Sequence, residues 1–214
     1  SVDGELLLGT GSALSLFAGQ AALLLWLACL REPLQPLGTV LYPLAAIAVL
    51  LGAAWPGSEH AVPIKDWRAQ THVVLSLLSA GLLTLAAAQA LFLAIQDRLL
   101  HQGLPRGLAL RLPPLQTMER VLFQLVGLGF ALLSLTLLSG VWFIHDWFAQ
   151  HLVHKTVLSI TAWLVFGALL WGRARYGWRG RRAIHWTAVG YVLLILAYFG
   201  SKLILEEILG RHWT

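Results

Sequence analysis

The stretch THVVLSLLSAGLLTLAAAQALFLAIQD, residues 71 to 97, decides the fold. No Lys, Arg, Asp or Glu occurs in it before Asp97, and its apolar side chains cover every face of a helix. A helix hydrophobic all round lies in a large core or in a membrane, and roughly 20 such residues cross the hydrocarbon layer. Of the 214 residues, 58% are hydrophobic and only 12% charged, and the mean hydropathy is +0.73. So little charge cannot cover a water-facing surface, which makes the bilayer the solvent and the chain an integral membrane protein. A transmembrane barrel would show alternating strands of about ten residues. The runs here are apolar on all sides, so the backbone satisfies itself as helices.

Five further runs extend the pattern to an all-α, polytopic bundle of six transmembrane helices within one transmembrane domain. They are expected at about Leu6 to Leu30, Leu37 to Trp55, Ala69 to Leu99, Met118 to Ile144, Val153 to Trp171 and Ile184 to Leu205. Prolines in REPLQP and at 113 and 114 punctuate the connections. Basic residues orient the bundle. The connections after the first, third and fifth helices hold ten basic residues against three acids, five of the ten in WGRARYGWRGRR (171–182). The other side holds five basic residues and seven acids. The arginine side is expected to be cytoplasmic, with both termini outside.

Several function classes recede on the same grounds. The lone cysteine, Cys29, builds no disulfide or thiolate site within one chain. The arginine-rich turn offers no groove-reading element for nucleic acid and instead suits anionic lipid headgroups. No acid or base falls mid-helix, which disfavours a proton relay or charge-driven pump, and no inverted repeat points to a transporter. Gln20, Gln89 and Gln124 read as interhelical hydrogen-bond partners, and Gly127, Gly129 and Gly190 as sites of close helix approach. The segment SVDGELLLGTGS has no basic n-region and does not read as a secretory signal.

Histidines carry what chemistry remains. His60, His72, His145, His151, His154 and His212 fall on the expected outer side, His101 and His185 on the inner. Neutral imidazole is a common ligand of metals and of haem iron. HDWFAQHLVHKT (145–156) gathers three of these histidines with Asp146, Trp147 and Lys155. His151 and His154 share a face only if the fifth helix begins early, and a His-x-x-His pair alone is a weak zinc signal. The alternative is that these residues are interfacial and satisfied by water, with the tryptophans forming a membrane-interface belt.

Residues 71–97, LPPLQTMERVLFQLVGLGFALLSLTLLSGVWF (112–143) and HKTVLSITAWLVFGALLWGRARYGWRGRRAIHWTAVGYVLLILAYFGSK (154–202) together resemble the cytochrome c assembly family, the CcsA, CcmC and HemX group. LPPLQTMER, WGxxxxGWRGRR and AYFGSK resemble its bacterial inner-membrane YpjD branch. The resemblance implies haem held at the outer face and presented to apocytochrome c, in concert with other biogenesis subunits, by an assembly factor rather than a catalyst. It also implies an eight-helix bundle, of which these would be the last six helices.

Carried over residue by residue, His72 matches the first external haem ligand, with Trp67 ahead of it. The tryptophan-rich loop maps onto 142–155, where VWFIHDWFAQHLVHK replaces the family's WGxxWxWDPKE. Trp142, Asp146 and Trp147 keep its composition but not its spacing. The family's intramembrane histidine aligns with about Trp171 and is missing. A second external histidine is expected some nine residues after the FG of AYFG, and His212 lies twelve after Gly200. His145 and His154 are alternatives for that second ligand. The implied cofactor is haem b, with Lys65, Arg68 or Lys155 positioned to pair with its propionates. The competing expectation is a membrane scaffold or accessory subunit that retains the bundle without haem.

Overall fold

The structure, a computed structural model, describes residues 6–8, 10–30, 35–54, 60–62, 67–102, 114–143 and 150–203. Among them are six α-helices: α1 (Thr10–Cys29), α2 (Gln35–Ala54), α3 (Trp67–His101), α4 (Leu115–Phe143), α5 (Gln150–Tyr176) and α6 (Arg181–Leu203). Helix α5 begins at Gln150 and runs on to Tyr176, so its arginine-bearing last turn belongs to the helix rather than to the connection. Three stretches, Gln70–His101, Leu115–Val141 and Lys155–Tyr176, are long and apolar enough to cross a membrane; 17–27 and 41–54 form shorter apolar segments.

The start of the chain corrects the sequence reading. Leu6–Leu8, expected in the first helix, forms a strand, β1, antiparallel to β2 (His60–Val62), with Leu6 opposite Val62 and Leu8 opposite His60. Three consecutive leucines carry no period that separates helix from strand. The ladder supplies cross-strand backbone hydrogen bonds at alternate residues, which the first turn of a helix lacks. Among the described residues the fold is all-α apart from this short ladder, which lies at the open end of the α1–α2 hairpin.

Helix α3 is the spine. It packs most extensively on α4 and also contacts α6 and α1, while α5 packs on α4 and α6. The core where they meet holds Leu83, Leu85, Met118, Leu122, Phe166 and Leu169, all fully buried. Gly129 lies so close to Leu83 that a Cβ would come 2.7 Å from its Cδ2, and the Ser79 hydroxyl donates to the Gly129 carbonyl at 3.0 Å. Gly190 lets α6 approach Phe166 of α5 in the same way. Gly127, by contrast, has open space where a Cβ would be.

Glutamines join the helices at two of the three expected positions. Gln20 Nε2 donates to the Leu77 carbonyl at 2.6 Å, tying α1 to α3. Gln89 Nε2 donates to the Met118 carbonyl at 3.2 Å. Gln124 is exposed instead, on the outer surface of α4.

At one end of the bundle the C-termini of α3 and α5 meet the N-termini of α4 and α6. Arg181 Nε lies 3.5 Å from Asp97 Oδ2, and the Gly180 N–H donates to Glu119 Oε1. Arg173 donates from Nη1 to the Trp178 carbonyl at 3.2 Å while its guanidinium sits 4.6 Å above the Phe123 ring. Gly177, at φ +64°, ends α5 in the left-handed cap conformation, its N–H 3.1 Å from the Arg173 carbonyl. The opposite end gathers the start of α3, the end of α4, the start of α5 and the last turns of α6. There the helices part.

Candidate functional site

Between these helix ends lies a cavity of about 580 Å³, within the range of pockets that enclose a small organic molecule. The α3 and α5 walls follow helical periodicity, and α4 adds Thr136, Leu138 and Gly140 beside its main stripe. His72 and Ser76 are one turn apart on α3; Ser134, Leu137 and Val141 line one stripe of α4; Thr156, Ser159 and Trp163 line one stripe of α5. Ala197 of α6 closes the side.

The hydroxyls around the cavity are largely spent on their own helices. Ser76 donates to the Val73 carbonyl at 2.8 Å, Ser134 to Phe130 at 2.8 Å and Thr136 to Leu132 at 2.9 Å. Trp163 Nε1 donates to Ser134 Oγ at 2.8 Å, and its ring stacks on Phe130 with centroids 5.5 Å apart. This gives the cavity a rigid aromatic wall. Two groups then define its chemistry: the half-buried His72 imidazole and the exposed Lys155 ammonium. His72 Nδ1 lies 2.8 Å from Ser139 Oγ of α4, and the Ser139 hydroxyl donates to the Thr136 carbonyl at 2.8 Å.

Among the described residues one imidazole lines the cavity, fewer than the three or four protein ligands that hold a bare zinc ion. Among the described residues no group of three His, Cys, Asp or Glu side chains gathers to hold a metal. A single imidazole in an apolar, aromatic-walled cavity does suit a tetrapyrrole iron, whose equatorial nitrogens come from the macrocycle and which asks the protein only for axial ligands. Lys155 on the same cavity offers a cation to carboxylates on the rim of such a ring. The residues present fit haem.

The sequence-expected residues are placed unevenly. His72 lines the cavity. Trp67 begins α3 but is 67% exposed and absent from the cavity lining, with the Arg68 guanidinium 5.8 Å from its ring. It lies five positions before His72, which turns it well away around the helix. Trp142 and His154 lie in α4 and α5 by backbone, one residue from Val141 and Lys155 of the cavity, and their side chains are outside the described residues. His145, Asp146, Trp147, His212 and Lys65 also lie outside the described residues. His151 and His154 both fall in α5, which does begin early enough to make them one turn apart. His101 and His185 sit at the opposite end of the bundle, His101 Nδ1 bonded to the Asp97 carbonyl at 2.7 Å.

Trp163, Ser134, Thr156 and Ser159 also line the cavity and Ser139 contacts His72, none of them within a recognisable motif. Their signal is the small-hydroxyl spacing on one face of two apolar helices, which becomes visible only once those faces are known to converge with His72.

A family profile described as "Cytochrome C assembly protein" matches residues 6–209. The chain is 42% identical over 139 residues to "Inner membrane protein YpjD" of Escherichia coli (strain K12), covering 64% of the chain and 52% of that protein. It is 36% identical over 141 residues to an "Uncharacterized 28.8 kDa protein" of Azospirillum brasilense, covering 65% of the chain and 52% of the relative. To "Cytochrome c biogenesis protein CcsA" of Nostoc punctiforme it is 31% identical over 105 residues, which is 48% of the chain and 30% of that protein. The chain thus spans about half the length of the first two relatives. No solved structure matches it. With nearly every residue of this helical bundle inside the matched range, the chain belongs to the cytochrome c assembly protein family.

Proposed function

We propose that this protein is a multi-pass component of a bacterial inner membrane that holds haem b at the outer face and presents it for cytochrome c biogenesis. All six helices span the bilayer, with both ends of the chain and the cavity on the outer side and the arginine-rich turn on the cytoplasmic side. The observation that carries this reading is His72, the one imidazole among the described residues on an apolar cavity that also holds Lys155, in a chain of this family. When bound, haem supplies the iron centre and the vinyl groups that cytochrome c attachment uses.

The chain's own residues bind and orient. His72 would give the haem iron a nitrogen ligand, Trp163 and Val141 would cover the ring, and Lys155 would pair with the propionates. His145, His154 or His212 would supply the other histidine. The partner is an apocytochrome c or another biogenesis subunit that reaches the mouth of the cavity from outside. A scaffold that has lost haem is favoured by one feature, the replacement of the family's tryptophan motif by VWFIHDWFAQHLVHK.

A reduced-minus-oxidised absorbance spectrum of the detergent-purified, haem-supplied protein separates the two. A b-type, bis-histidine signal that collapses in His72→Ala supports the haem platform, and single alanine variants of the other three histidines then identify the second ligand. A signal untouched by His72→Ala removes His72 from the site. No signal in the parent protein favours the scaffold.

A further inference from the structure

We infer that Ser139 is a positioning residue that locks the neutral His72 ring with its proton on Nδ1, so that the Nε2 lone pair is the one left to bind a ligand. The inference deepens the haem reading and rests on it for the identity of that ligand; the tautomer itself rests on the hydrogen bonds.

Two contacts of equal length decide it. Ser139 Oγ is 2.8 Å from the Thr136 carbonyl oxygen and 2.8 Å from His72 Nδ1. Two oxygens approach to that distance only with a proton between them, and a seryl hydroxyl has one proton to give. It is engaged by the Thr136 carbonyl, so Oγ meets Nδ1 as an acceptor and Nδ1 carries the hydrogen. In a neutral imidazole the other nitrogen is then bare.

The neighbouring geometry keeps the ring there. A Cβ on Gly140 would come into van der Waals contact with His72 Cε1, at 3.4 Å, so α4 passes close to the ring edge. Ser134, about a turn and a half earlier on the same helix, uses the same device on Trp163: it donates backward to Phe130 and accepts from the ring N–H. Helix α4 thus pins one ring from α3 and one from α5 with two backward-donating serines. An acceptor behind a ligating histidine fixes its orientation and raises its basicity, and losing such a partner typically weakens metal binding by roughly 10- to 100-fold.

The test compares the parent protein with Ser139→Ala and Ser139→Thr, which keeps the hydroxyl. Long-range proton–nitrogen NMR of histidine-labelled, ligand-free protein at alkaline pH reads the tautomer, with His72 assigned by its loss in His72→Gln. The expected result is Nδ1–H in the parent and in Ser139→Thr, and a tautomer mixture in Ser139→Ala. A parent ring protonated on Nε2, or a tautomer unchanged in Ser139→Ala, overturns the inference. On the haem-loaded protein, Ser139→Ala is expected to weaken haem binding about tenfold and raise the midpoint potential, with both restored in Ser139→Thr. A parent that binds no haem but shows Nδ1–H overturns the haem reading and supports the tautomer.

Discussion

Adding one methyl group at two glycines of the bundle should have opposite effects. In Gly190→Ala the new Cβ would sit 2.8 Å from Phe166 Cζ and 3.0 Å from Cε1 and Cε2, whereas carbon atoms rest about 3.5 Å or more apart. The ring must therefore withdraw by about 0.7 Å. Phe166 is fully buried between helices, so no open space receives it. Overpacking of this kind costs about 1–3 kcal/mol, and the better helix propensity of Ala returns about 0.5–1 kcal/mol. The net is a loss of about 1–2 kcal/mol. Gly127→Ala meets nothing within 4 Å and keeps only the gain. The propensity gain is common to both, so the two variants should differ by the overpacking cost, about 1–3 kcal/mol, a factor of roughly 5 to 150 in the unfolding equilibrium. Unfolding by SDS in mixed micelles, followed by circular dichroism, measures both. Phe166→Leu, costly in the parent, should cost less on the Gly190→Ala background, because the pair are in contact. Equal stabilities of the two glycine variants, or strict additivity with Phe166→Leu, would refute the packing account.

Lys155→Gln should weaken haem binding by less than tenfold, because the ammonium is exposed; haem titration at low and high salt should show the parent's advantage shrinking as salt screens it. Trp163→Phe keeps the ring beside Phe130 but removes the donor to Ser134, and should cost about 1 kcal/mol in the same micelle unfolding assay.

What the sequence discloses follows from which physical signals are one-dimensional. Uniform apolarity over some 20 residues is such a signal, and the helices from Trp67 onward stand where it puts them. Leu6–Leu8 did not, since three leucines look alike in helix and strand and the pairing partner lies more than fifty residues away. Gln20 and Gln89 are polar groups on faces that meet a neighbour, while Gln124 looks the same in the sequence and faces out. The site divides in the same way. His72 is legible as a histidine at a helix mouth. The serines of α4 and Trp163 are not, because a Ser or Trp in an apolar helix acquires its role only from the ring or hydroxyl across the interface.

Helix α3 spans 35 residues without a break, about 52 Å at 1.5 Å per residue, which is longer than the roughly 30 Å hydrocarbon slab. His72 and Asp97 stand about 37 Å apart along it, one on the cavity and the other on the Arg181 contact. The rod acts as a gauge between the two leaflets. In the orientation proposed above, Asp97 and Arg181 would be moored among the headgroups of one leaflet and the imidazole carried to the interfacial layer of the other. Bilayer thickness then sets how deep the cavity mouth sits, so a thicker membrane draws it into dry acyl chains or straightens the rod, and a thinner one lifts it into water. In that orientation lipid composition would set the polarity that His72 experiences.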